Sequence, residues 1–172
     1  MWIPDTHQLS TLILDCAQKN QDEHIDYYLN FGGEANLQDD DGRNAAHHFA
    51  LKGNIKALDK IAADDISIFS VTDNAGMTPL MYLAETGKHD VMPYVELRAQ
   101  LLVQTDGKGR SVAGFVAAHG DVETVLQKML PTCPEIVHQK VIAMVMTSTH
   151  LKPTEKIKAV KALGLAGFKT TL

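Results

Sequence analysis

Asp73-Asn74-Ala75-Gly76-Met77-Thr78-Pro79-Leu80-Met81-Tyr82-Leu83-Ala84-Glu85-Thr86-Gly87 carries most of the architectural information in this 172-residue chain. Its first four residues predict a turn, because Asp accepts nearby backbone N–H groups and Gly tolerates positive φ. Thr78 then reads as a helix N-cap with Pro79 at the first helical position, where its missing N–H is not needed. Leu80, Leu83 and Ala84 share one helical face. Gly87 predicts the stop, since glycine enters the left-handed conformation without strain. A second helix is expected over about 88–97, burying Val91, Met92 and Val95, with Pro93 offsetting or shortening it.

The same punctuation recurs on both sides. Asp39-x-x-Gly42 is followed by Gly53, and Asp106-x-x-Gly109 by Gly120, at the spacing seen from Gly76 to Gly87. The intervening segments are apolar: Ala45-Ala46-His47-His48-Phe49-Ala50 in one, Val112-Ala113-Gly114-Phe115-Val116-Ala117 in the other. A period of 33 or 34 residues signals stacked helix pairs, none of which buries its apolar face alone. Ile55, Leu58 and Ile61 fill the second helix of the first repeat, and Val122, Val125 and Met129 that of the third. A more degenerate unit precedes them. There Thr11-Leu12-Ile13-Leu14 and Cys16-Ala17 form the inner helix, Asn20 replaces the stop glycine, and Ile25, Tyr28 and Leu29 follow.

These residues resemble the ankyrin-repeat family, whose signature is Asp-x-x-Gly-x-Thr-Pro-Leu-x-x-Ala, then Gly, a second helix and a Gly-Ala-Asp-like loop. Asp73, Gly76, Thr78, Pro79, Leu80, Ala84 and Gly87 match it directly. Gly33, Ala35, Asn36, Asp39, Gly42, Ala50 and Gly53 match in part, with Asn44-Ala45 in place of Thr-Pro. The third copy keeps Asp106, Gly109, Ala117 and Gly120 but has Ser111-Val112-Ala113. The resemblance spans about 6–130. It implies an all-α ankyrin-repeat solenoid of about four helix pairs, with units near 6–36, 37–70, 71–104 and 105–130 and a helical cap over 131–172.

In that last segment Pro131-Thr132-Cys133-Pro134 breaks the pattern. A helix is expected over about 135–149 from Ile136, Val137, Val141, Ile142, Met144 and Val145. Lys152-Pro153-Thr154-Glu155 opens another, with Ile157, Val160, Ala162 and Leu163 as its apolar face, Lys156, Lys158 and Lys161 outside, and Gly164 or Gly167 at its end.

Composition sets further bounds. Hydrophobic residues make up 45% and charged residues 22%, which is ordinary for a globular chain. Acidic side chains crowd the beginning. Residues 1–50 hold nine acidic and two basic side chains, 51–124 ten and seven, and 125–172 two and seven. In a stacked array sequence order is spatial order, so one end is expected to be acidic and the other basic. Cys16 and Cys133 have no metal or disulfide spacing and read as small core residues of a reducing compartment. No basic leader or membrane-length apolar run occurs, so a cytoplasmic protein is expected, with export by a non-classical route left open.

No nucleotide-binding glycine loop, His-Glu-x-x-His or Gly-x-Ser-x-Gly is present, and no enzyme, cofactor or metal is expected. Asp39-Asp40-Asp41 lacks the closing Glu of a calcium loop, since position 50 is Ala, and reads as turn chemistry. His47 and His48 diverge by about 100° on a helix. The family resemblance gives His47 a structural bond to the neighbouring turn.

By the same resemblance, the partner-binding strip flanks the turn Asp and Gly and the ends of the inner helices. It comprises Gln38, Asp40, Asp41, Arg43, Leu51 and Lys52, then Thr72, Asn74, Met77, Tyr82 and Glu85, then Thr105, Lys108, Arg110 and His119. Met77 is expected as an apolar contact at its middle, and Tyr82 either as a contact or as core. The function expected is a non-catalytic protein-binding module (an adaptor, inhibitor or bacterial effector), monomeric, with another protein as partner and nucleic acid not expected. The alternatives are the targeting region of a longer enzyme, or a nucleic-acid or anionic-membrane binder acting through the basic last helix.

Overall fold

The computed structural model describes residues 4–87, 91, 93–94, 99–133 and 135–167. Among them all regular structure is helical, as expected, and no helix is long and apolar enough to cross a membrane. Contacts divide the chain into two units, Met1–Thr86 and Gly87–Leu172.

The first unit contains α1 (Thr6–Gln18), α2 (Ile25–Asn30), α3 (Ala45–Lys52), α4 (Ile55–Asp64), a 3-10 turn at Ile66–Ser70 and α5 (Pro79–Glu85). The inner helix α3 packs against both α1 and α5, while α2 packs on α4 behind them. Leu9, Ile13, Phe49, Leu58, Ile61, Phe69, Leu80 and Leu83 are buried in the core between them. Fully burying one such side chain is worth roughly 1.5–3 kcal/mol.

Each inner helix opens on a side-chain cap. Asp5 and Gln8 form a reciprocal capping box in α1, as do Asn44 and His47 in α3. Thr78 accepts from Met81 N at the start of α5, with Pro79 at the first position. Helix stops also recur. Gly53 and Gly87 take φ of 62° and 74°, and Asn20, in the slot of the missing glycine, takes 58°. Asn is the residue after Gly that most readily accepts this conformation, so the substitution preserves the stop.

The second unit contains a 3-10 turn at Ala99–Leu102, α6 (Val112–Ala118), α7 (Val122–Thr124), α8 (Glu135–Thr147) and α9 (Pro153–Gly167). Ser111 caps α6 by accepting from Gly114 N at 3.2 Å. Every residue of α6 is buried, and it packs along α8. Their approach is close: a Cβ at Gly114 would lie 2.2 Å from Met144 Sδ. The helix expected from Val122, Val125 and Met129 is short, widening into a π turn over Val125–Met129 before a 3-10 turn at Leu130–Thr132. Pro131 lacks the N–H that would close an α turn onto Gln127, so regular winding cannot continue there.

Of the two stops expected for α9, Gly164 lies inside the helix and Gly167 is its last residue. Two expectations are corrected. Ile157 is 56% exposed, and the buried face of α9 is built on Ala159 and Leu163. The helix expected to reach 149 ends at Thr147, where Ser148 turns inward and donates to Ala118 O at 2.6 Å. Val91 of the expected 88–97 helix is buried, whereas Met92 and Val95 lie outside the described residues.

Candidate functional site

The candidate site is built from turns that share one hydrogen-bond scheme. In each, the Asp carbonyl accepts from the Gly three residues on, at 2.9 Å for Asp39–Gly42, Asp73–Gly76 and Asp106–Gly109. The Asp N–H donates to the carbonyl four residues on, again at 2.9 Å. Its Oδ1 accepts two backbone N–H groups, from Asp41 and Arg43, from Ala75 and Met77, and from Lys108 and Arg110. The short acceptor side chain and the positive φ of glycine are both required to close this loop.

The second carboxylate oxygen is also held, by a residue on the following helix. His48 Nε2 lies 2.7 Å from Asp39 Oδ2, and the Tyr82 hydroxyl donates to Asp73 Oδ2 at 2.6 Å; both partners stand nine positions after their Asp. At the same position in the third copy stands Phe115, which has no donor. There Arg110 Nε donates to Asp106 Oδ2 at 2.7 Å, and the guanidinium lies 5.0 Å from the Phe115 ring centre. These supporting contacts were not read from the sequence, although the constant spacing was available as a signal.

Within the first unit the two tips are laced together. Asn74 N donates to Asp41 O at 3.0 Å, and Asn74 Nδ2 to Asp40 O at 2.9 Å. Gln38 Nε2 reaches Gly42 O and, at 3.3 Å, Thr72 O. Beneath them His47 bridges the repeats, with Nδ1 at Asn44 and Nε2 3.1 Å from Met77 O. Burial holds this imidazole neutral, with its pKa pushed down to about 4 against the opposing bond to Met77. Burial alone would raise the Asp73 carboxyl, but the bonds from Tyr82, Met77 and Ala75 outweigh it and leave its pKa below the ordinary value.

The strip residues sort accordingly. Asp40, Asp41, Lys52, Thr72, Asn74 and Glu85 are exposed, as is Gln38, while Leu51 is half-buried. Asn74 and Gln38 carry the lacing described above. Arg43 is half-buried and turned inward: it donates to the Tyr82 hydroxyl at 3.3 Å, and its Nε lies 3.6 Å from Asp73 Oδ2. Met77 departs from the expected surface contact. It is 2% exposed, because its N–H and carbonyl are tied to Asp73 and its side chain goes to the core. Tyr82, at 8%, takes the core alternative. In the second unit Thr105 and Lys108 are exposed, and Arg110 and His119 half-buried.

His119 also borders a cleft of about 600 Å³ between α7 and α9, where its ring stacks on His150 with centroids 4.0 Å apart. Val122, Leu126, Leu151 and Ala159 make its walls apolar. Nothing in the sequence pattern marked this cleft. Among the described residues no group of three or more His, Cys, Asp or Glu side chains is placed to hold a metal ion.

A family model of ankyrin repeats, in three copies, matches residues 13–97. No curated protein matches the chain.

Proposed function

Since the chain carries ankyrin repeats over residues 13–97, a family of protein-interaction modules, we propose that it is a non-catalytic docking protein. It acts as an adaptor, inhibitor or effector by gripping a partner with its turn tips. The observation that carries this reading is the laced pair of tips, which leaves Asp40 and Asp41 exposed on a fixed backbone, with Arg43 Nη1 3.4 Å from Asp41 Oδ2. The first unit holds fourteen acidic side chains against five basic ones, so its field favours a partner with a basic surface.

The chain used as bait, beside Asp40→Lys with Asp41→Lys, tests this reading. The wild type should retain a defined set of proteins that the double variant loses, while both unfold at the same urea concentration. Identical captures by the two would remove the tips from the binding site.

A further inference from the structure

We propose that the chain associates with a second copy of itself head to tail, the Tyr27–Phe31 face of α2 in one copy seating on the Ile157 face of α9 in the next. This inference stands independently of the turn tips and replaces the monomer expected from the sequence.

Among the described residues, the large apolar side chains more than half exposed are Tyr27 at 56%, Phe31 at 57%, Met146 at 55% and Ile157 at 56%. Two lie in each unit. Tyr27 on α2 and Phe31 at its C-cap stand one turn apart with ring centroids separated by 4.6 Å, and Tyr28 meets Tyr27 edge-on at 5.8 Å. The helix's inward face is marked by Ile25, fully buried, while Asp26, itself exposed, sets its carboxylate 2.7 Å from Lys60 of α4. The 100° step per residue turns Tyr27 and Phe31 away from both. Among the described residues both remain more than half exposed, and packed aromatics of this kind serve as interface anchors.

On α9, Ala159 and Leu163 are buried, which turns Ile157, Lys158 and Lys161 outward, and all three are exposed. Lys156 Nζ donates to Met146 O at 3.1 Å, so the Met146 turn of α8 lies beside the start of α9. The second unit holds seven acidic and eleven basic side chains, opposite in balance to the first. Like units therefore repel and unlike units attract, which favours a head-to-tail joint over a symmetric one. Two anchors a side give a small contact, and the joint is weak and salt-sensitive.

Sedimentation equilibrium of the chain at low salt should give an average mass that exceeds one chain and climbs with concentration, then falls on adding salt. Tyr27→Asp with Phe31→Ser blocks one face, and Ile157→Glu with Lys161→Glu blocks the other. Each variant alone should associate at least tenfold more weakly. Their equimolar mixture should form a one-to-one complex, because each retains one intact face, and the complex itself shows that both are folded. Ile157→Gln replaces the charged variant if circular dichroism shows that one unfolded. The proposal is overturned if the wild type remains a single chain throughout. It fails equally if the variants associate as the wild type does, or if the folded variants stay apart when mixed.

Discussion

The Tyr82 hydroxyl donates a 2.6 Å hydrogen bond to Asp73 Oδ2, closing the turn of the middle repeat onto the helix that follows it. Asp73 is 7% exposed and Tyr82 8%, so water is a poor substitute for either partner. Tyr82→Phe should cost about 2 kcal/mol, the range for a hydrogen bond to a charged group. Arg43 Nε, 3.6 Å away, compensates only in part. Urea unfolding of the two proteins measures the difference, and an unchanged midpoint would show that the bond contributes nothing net.

The third copy replaces that tyrosine by Phe115, leaving Arg110 as the partner of Asp106 Oδ2. Arg110→Met should destabilise the second unit by about 3 kcal/mol, because a buried carboxylate loses its counter-charge. Adding Phe115→Tyr should restore part of that loss, since the same position supplies the donor in the middle repeat. Absence of any rescue would mean that the nine-residue spacing does not carry over to this copy.

His47 gives the fold a pH dependence with a definite sign. Its pKa is about 4 when folded and ordinarily near 6.5, so between these values the unfolded chain binds a proton that the native chain refuses. Stability is full above that window and falls with acidification by about 1.4 kcal/mol per pH unit, about 3 kcal/mol in all. His47→Gln keeps a capping side chain of the kind Gln8 provides in α1 but does not titrate. The wild-type stability curve should therefore drop between pH 6.5 and 4 relative to that of the variant. Parallel curves would place the proton elsewhere.

Much of this scheme is legible in the primary structure because local rules repeat. Asp73, Gly76, Thr78, Pro79 and Gly87 each enforce one backbone conformation, and all five do so here. Asn20 could be recognised as a stop for the same reason. Side-chain direction was harder to read where two surfaces compete. Met77 follows the turn and looks like a tip residue, yet its main-chain bonds to Asp73 commit the side chain to the core. Ile157 fits the apolar pattern of α9, yet Ala159 and Leu163 face the packed side. The contacts of Gln38 and Asn74 with the preceding or following tip depend on residues about 34 positions away, which no local pattern encodes.

Gly42 is where the lacing is most exposed to substitution. Its φ is 77°, and a Cβ there would lie 2.6 Å from Asn74 Oδ1 and 2.9 Å from Asn74 N. Gly42→Ala should lose about 2 kcal/mol, combining the left-handed penalty with displacement of Asn74. Faster exchange of the Asn74 amide hydrogen than in the wild type is the specific readout; unaltered exchange would show that the tips are joined by other means.

Because one asparagine grips two carbonyls of the preceding loop, those of Asp40 and Asp41, the two loops are tied to one another. The entropy lost in fixing them is incurred when the chain folds and does not recur on complex formation. A visiting surface meets a stiff edge of set spacing, so a candidate whose own charges fall out of step with Asp40 and Asp41 finds no loop able to bend toward it.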